Sequence, residues 1–312
     1  MKHNQTKPLV SIITPVYNRE DFIEETILSV LGQDYPNIEY IVIDDGSTDK
    51  SLEIIKKYKN KLIWKTQKNQ GEAKTVNRGF KMAKGEFVSI LSSDDTLMPN
   101  TVSSIHDFFV NHPDIAIVYP DWRMIDSGSR KIKNVKTPNY SYLDMLRWHA
   151  CFPGAGTFIK KEIIQKLKGR DPQFKYVGDY DFWLRAGLVG KFARIPKVLA
   201  NYRVHDNSAT VNLKGRQMAQ EHIRVINKIY SLPKLSTDIK KIKNEALSSA
   251  NFTAAIASGN GISLLKIWYT IKAFGHKPTK YLGEYKYRTL GIFYEILAVL
   301  FKIKNPYKNK II

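Results

Sequence analysis

One cysteine, Cys151, stands among 312 residues, which excludes an internal disulfide and any cysteine-rich zinc centre. A reducing cytosol is the simplest compartment for such a chain. No run reaches the ~18 apolar residues of a membrane-spanning helix. The opening stretch, MKHNQTKPLVSIITPVYN, has its apolar run cut by Thr14 and Pro15 and lacks a signal-peptide core. A soluble or membrane-peripheral protein is expected. Neither GxGxxG nor GxxxxGKS/T occurs, which disfavours a dinucleotide cradle and a P-loop. No internal repeat or low-complexity segment is present.

Acid is scarce as well. The chain has 29 Asp and Glu against 49 Lys and Arg, a formal net charge of +20. The excess is uneven: residues 213–312 hold 18 basic and 5 acidic side chains, leaving only +7 for the first 212. A basic, aromatic-containing tail suits an anionic bilayer or a nucleic acid, and equally a solvated lysine-rich surface.

What the chain does have is a continuous apolar run ending in paired acid, FVSILSSDD, from Phe87 to Asp95. Bounded by Gly85 and Pro99, it reads as a strand buried on both faces. Asp94 and Asp95 then fall where the strand leaves the sheet, the edge at which open α/β sheets bind ligands. Two adjacent carboxylates there serve either a divalent cation or the cap of the next helix. Upstream, strands at 10–14, 39–43 and 61–66 alternate with helices at 20–31, 50–58 and 72–84. Four such alternations in about ninety residues imply βαβ units and a mainly parallel sheet. Further on, a helix is expected at 100–112, a strand at 115–119, and a hairpin over 121–138 with its tip at Ser127-Gly128-Ser129. Shorter elements follow: a helix at 141–149, a strand at 157–159, helices at 160–167 and 180–188, and a strand at 198–204. Beyond Val211 the pattern turns helical, at 217–230, 238–258, 262–274 and 288–304. The last of these is too short and too interrupted by Glu295 to span a bilayer, and it suits either the membrane interface or packing on the rest of the chain.

Four polar phrases therefore lie at element ends: TPVYN, DDGS, SSDD and GDYD. Taken with VSIITPVYN, IVIDDGSTD, NQGEAKTVNRGFKMAKGEFVSILSSDD, YVGDYDFWLRAGLVG and YRVHDNS, they make residues 9–209 closely resemble the inverting family 2 glycosyltransferases that build bacterial glycans. The resemblance implies an α/β protein with the GT-A (nucleotide-diphospho-sugar transferase) fold, a mainly parallel central sheet flanked by helices. A catalytic domain over 1–212 would divide into a nucleotide-binding half, 8–120, and an acceptor half, 121–212. A basic helical region, 213–312, would follow.

The resemblance also implies roles. Asp45 accepts a hydrogen bond from the N3–H of a uracil or thymine base, Tyr17 flanks that base, and Thr14 and Pro15 line the pocket end. Asn77 and Arg78 lie in the segment that contacts the nucleotide sugar. Asp94 and Asp95 match the metal and sugar part of the family's DxD motif, with Ser92 replacing the first acid of the usual D-x-D-D. His205 is a third ligand for Mn²⁺ or Mg²⁺, or an ordinary loop histidine. Asp179 matches the general base, and otherwise caps the helix that follows it. Trp122 and Trp183 stack on an acceptor sugar or fill the core. The implied reaction moves a hexose or N-acetylhexosamine from a UDP- or dTDP-linked donor to a glycan or lipid-linked hydroxyl at the cytoplasmic face. Residues 262–312 would touch an anionic membrane there, and nucleic acid is disfavoured as partner. Two other readings compete. A GT-A-fold nucleotidyltransferase wants a glycine-rich basic loop after the first strand, which VYNRED does not supply. A non-enzymatic basic binding module would use the acids only as caps.

Overall fold

The computed structural model describes residues 7–206, 215–259 and 263–277. The described residues form two compact units, those of Met1–Tyr140 with Cys151–Ser208 and those of Ser141–Ala150 with Ala209–Ile312.

The first unit opens with β1 (Val10–Val16), α1 (Ile23–Leu31), β2 (Ile38–Asp44), α2 (Ser51–Lys57), β3 (Ile63–Thr66), α3 (Glu72–Met82) and β4 (Phe87–Ile90). Four parallel strands result, β3-β2-β1-β4, because each crossover carries a helix back to the start of the next strand. Consecutive residues in these strands are buried on opposite faces: Ile12 and Ile13, and Val42 and Ile43, are all fully buried. That double burial is why the strands read as unbroken apolar runs. β3 is different. It is the outer strand, only four residues long, and partly exposed.

Beyond β4 the sheet becomes mixed. The chain continues through β5 (Thr96–Leu97), α4 (Thr101–Asn111), β6 (Ile117–Ile125) and β7 (Lys131–Val135). After residue 150 come β8 (Phe158–Lys160), α6 (Lys161–Leu167), α7 (Gly178–Gly187) and β9 (Phe192–Arg203), numbering α5 (Tyr142–Trp148) in the other unit. Strand β8 pairs antiparallel with both β4 and β6, β9 runs parallel to β6, and β5 pairs antiparallel with β9. β9 starts six residues before the sequence-based expectation. Its β6 register skips Pro196 and Lys197, so a bulge accommodates the proline, which has no N–H for the ladder. The expected hairpin is β6–β7, and its turn holds Ser129 at positive φ.

The second unit contains α5, α8 (Arg216–Tyr230), α9 (Thr237–Lys241), α10 (Lys243–Ala257) and α11 (Leu264–His276). The helix expected over 238–258 is divided at Ile242. α10 packs through Ala246, Ala250, Ala254 and Ala255, all fully buried, a small-residue face that admits neighbours closely. The helix expected at 288–304 lies outside the described residues. Among those described, no helix is long and apolar enough to cross a membrane.

Glycine at position 79 lets α3 lie directly on β1. A β-carbon there would meet Ile13 Cγ2 at 2.4 Å, inside the fully buried layer. Overpacking costs about 1–3 kcal/mol and helix propensity returns about 1. Gly79→Ala is therefore expected to lower stability in urea denaturation, despite alanine being the better helix former; equal or higher stability would show that the layer yields.

Candidate active site

The end of β2 carries Asp44 and Asp45, both almost fully buried. Asp44 accepts from Ser47 N at 3.2 Å and from the Thr66 hydroxyl at 2.7 Å, tying its own turn to β3. Asp45 reaches further. Its Oδ1 accepts from Gln67 Nε2 at 2.7 Å and Gln70 N at 2.9 Å, and its Oδ2 from Gly71 N at 2.9 Å. It thus holds the loop that begins α3. A carboxylate offers about four acceptor sites, so three bonds leave capacity on Oδ2. Gln67 in turn accepts from Arg78 at 2.7 Å, which places Arg78 in the same cluster. The loop after β1 is laced to the loop after β2: Asn18, at positive φ, donates from its N–H to Ser47 Oγ and accepts from Thr48 N. Gly46 is required here, since its φ is +79° and a β-carbon would lie 2.9 Å from Asn69 N.

Asp94 and Asp95 form a turn between β4 and β5. They do not cap α4, because β5 and Met98–Asn100 intervene. Asp94 Oδ2 lies 3.1 Å from His205 Nε2 and 3.5 Å from Arg19 Nε. The His205 ring rests on Phe22 with centroids 4.6 Å apart. Asp95 is buried, and its Oδ1 accepts from Arg203 N at 2.9 Å. Burial and the neighbouring Asp94 push its carboxyl well above the usual range, opposed by the Arg203 N–H and charge and by the Ser92 hydroxyl. Ser92, standing where an acid was expected, is thus a donor to the acid that remains. Two carboxylates and an imidazole are a donor set that suits Mn²⁺, or Mg²⁺ with additional oxygen ligands. Among the described residues no group of three or more acids, histidines or cysteines is clustered as a finished metal site.

Asp179 lies in the first turn of α7, whose cap is Val177, so it is not the capping residue. Its Oδ1 accepts from Tyr180 N at 2.7 Å. The side chain is open to solvent, yet enough protein surrounds it for desolvation to raise its pKa; Arg170 opposes that rise and Glu72 adds to it. Arg170 is buried and pairs with Glu72 at 2.6 Å. Asp181, two residues on, is fully buried and paired with Arg185 at 2.8 Å.

A run of contacts therefore joins the surroundings of Asp45 and Asp179. Asp45 holds Gln70 and Gly71, the next residue Glu72 holds Arg170, and Arg170 acts on Asp179. The model of the family described as "Glycosyl transferase family 2" matches residues 11–176. The chain belongs to glycosyl transferase family 2. An uncharacterized glycosyltransferase of Rickettsia typhi is 36% identical over 219 residues, which are 67% of this chain and 68% of that protein. Chondroitin synthase of Escherichia coli is 30% identical over 248 residues, 78% of this chain but 35% of the synthase. Among solved structures, residues 1–349 of S. aureus TarS with UDP-GlcNAc superpose with a TM-score of 0.68 at 21% identity, covering 86% of this chain and 80% of that one. That last likeness establishes the shared GT-A fold.

In this family 2 glycosyltransferase some residues expected at the site point elsewhere. Thr14 is fully buried, and its hydroxyl accepts from Tyr40 inside the fold. Asn77 clamps the backbone of Arg170, donating to its carbonyl and accepting from its N–H at 2.8 Å each. Trp183 is core, edge-on to Phe182 and Phe192. Pro15 is half-buried, Tyr17 is 47% exposed beyond the end of β1, and Trp122 is half-buried against Tyr202. Cys151 donates its thiol proton to the Pro153 carbonyl. Cys151 is exposed, yet the protein around it, with Asp179 adding, pushes the thiol pKa up. Sequence reasoning passed over Arg19, Gln67, Arg170 and Arg203, though YR of YRVHDNS was within the phrase that marked the family.

A raised Asp179 pKa means that the folded protein holds this proton more tightly than the unfolded chain. The stability contributed is full below the unfolded value of about 3.9 and is lost as pH rises through the folded one. Asp179→Asn carries no such charge. It is expected to melt above the wild type in calorimetry at about pH 8, with the difference vanishing below about pH 4. Equal melting at the higher pH would remove the desolvation.

Proposed function

We propose that this glycosyltransferase is inverting and metal-dependent, and moves a hexose or N-acetylhexosamine from a UDP- or dTDP-linked donor. The acceptor is a hydroxyl of a glycan or lipid-linked oligosaccharide in cell-surface polysaccharide synthesis, at the cytoplasmic face. The observation that supports this is the set of acids within one unit, with Asp45 after β2, Asp94 and Asp95 after β4, Asp179 in the first turn of α7, and the Glu72–Arg170 pair between Asp45's loop and Asp179. The likeness to chondroitin synthase supports a glycan acceptor.

In this reading, Asp45 Oδ2 uses its remaining capacity to accept the base N3–H, and Tyr17 flanks the ring. Arg78, held on Gln67, lies toward the nucleotide. Asp94, Asp95 and His205 hold Mn²⁺ or Mg²⁺. Such an ion stabilises the charge of the leaving diphosphate. Asp179 takes the proton of the acceptor hydroxyl as that oxygen forms its bond to C1, on the face opposite the breaking C1–O bond. The pair of electrons in that bond leaves with the nucleoside diphosphate, and the anomeric configuration inverts. A carboxylate with a raised pKa suits the task, because a base works best with a pKa near the operating pH.

Nucleotide sugars screened with and without Mn²⁺ test the donor. UDP with Mn²⁺ is expected to raise the melting temperature of the wild type but not of Asp95→Ala. Asp179→Asn is expected to keep that protection and lose turnover by about 10²–10⁴. Retained turnover would remove Asp179 as base, and protection by heparin or DNA in place of UDP would favour a binding module.

We further propose that α11 meets an anionic membrane. Leu264, Trp268 and Ile271 are 87%, 52% and 62% exposed on one face, and Lys272 Nζ lies 4.6 Å over the Trp268 ring. Lys266 and Thr270 are turned inward instead. An apolar stripe with an aromatic and a flanking lysine suits the lipid interface. Wild type is expected to sediment with phosphatidylglycerol-containing vesicles and Trp268→Ser/Ile271→Ser to do so several-fold less; equal sedimentation would refute the contact.

A further inference from the structure

Arg203 ends β9 with a side chain that has no exposed surface. A guanidinium cannot shed its charge, so its burial is tolerable only if its donors are paired. Here they are paired to different elements. On one side Nε donates to the Asp94 carbonyl at 2.7 Å, while the backbone N–H of the same residue donates to Asp95 Oδ1 at 2.9 Å. On the other side Nη1 donates to the carbonyls of Asp126 and Ser127, at 3.2 and 3.4 Å, and to Ser129 Oγ at 2.8 Å. Nη2 donates to Glu25 on α1 at 2.6 Å, and Ser129 Oγ itself donates to the same Glu25 oxygen at 2.7 Å. The guanidinium lies 5.1 Å over the Phe22 ring, on which His205 also rests.

One planar, rigid group thus spans the acidic turn and the tip of the β6–β7 hairpin. A lysine, with a flexible stem and a point charge, cannot hold both at once. We propose that Arg203 is a positioning residue that couples the hairpin tip and Glu25 to the Asp94–Asp95 turn, so that the grip on the tip sets how tightly the turn holds its cation and nucleotide. The hairpin lies in the half expected to meet the acceptor, so displacement of its tip would be felt at the donor side. This rests on the donor-site reading above.

The test uses the far end of the coupling. Ser129 and Glu25 are solvent-exposed, and their side-chain hydrogen bonds go to Arg203 and to each other rather than to Asp94 or Asp95. Mn²⁺ binding is followed by the electron paramagnetic resonance signal of free Mn²⁺ in the presence of UDP, with melting temperatures measured alongside. Glu25→Gln and Ser129→Ala are each expected to weaken Mn²⁺ binding at least threefold with little change in melting. Ser129→Ala alters no charge, so its effect cannot be a field effect. In an Arg203→Lys background, which is expected to bind Mn²⁺ more weakly still, either change should add nothing. Unchanged Mn²⁺ affinity in both single variants, or additive losses in the Arg203→Lys background, would overturn the coupling and leave Arg203 a structural pin. A wild type that binds UDP but no Mn²⁺ would instead refute the metal reading. The coupling is then read on UDP affinity, where unchanged binding in Glu25→Gln and Ser129→Ala overturns it.

Discussion

Carboxylates gathered at one edge of a sheet repel each other and lose hydration, so each must be supplied with donors or cations by the protein itself. This requirement organises the first unit. Asp44 is held by a turn N–H and a threonine, and Asp45 by the loop that starts α3. Asp94 lies beside Arg19 and His205, and Asp95 is held by the backbone of β9. The acids are spaced by the strands that carry them, and their partners arrive from loops far along the chain. At Asp95 and Asp179 desolvation outweighs the donors supplied, and the carboxyl pKa rises. Those two positions are where a cation and a substrate proton are proposed to enter.

The two halves of the sheet meet this requirement differently. In the parallel half, acid and donor are neighbours in space because adjacent strand ends are neighbours, as Asp44 and Thr66 are. In the mixed half, β8 enters antiparallel next to β4 and moves β6 and β9 outward. The long β9 then returns to the acidic turn and delivers Arg203 and His205 together, two residues apart. That is why a single strand end supplies both a buried guanidinium and an imidazole to one turn.

Much of this was legible in the residues. VSIIT, IVID and FVSI announced themselves because burial on both faces demands apolar, β-branched side chains without alternation. The acids at their ends were legible for the complementary reason that charge does not belong inside such a run. Partners were not legible. Arg203 meets Asp95 across 108 positions, and Arg170 meets Glu72 across 98, distances over which no local pattern carries information. The resemblance implied Thr14 as pocket lining, but its side chain is buried and accepts from Tyr40. β5, two residues long, has too little sequence to carry a period. Pro196 concealed the first half of β9, since a proline argues against a strand unless a bulge takes it up.

The outer strand β3 carries one further consequence. Among the described residues no strand pairs with its outer side, a row of backbone groups able to receive another strand, and Ile63 is exposed on it. Yet it is four residues long, and Lys65 stands exposed within it, with Lys61 just before. A second chain adding itself there would form only a short ladder and would bring its own surface against that positive charge. Together with the high overall charge, this disfavours edge-to-edge growth at this end of the sheet.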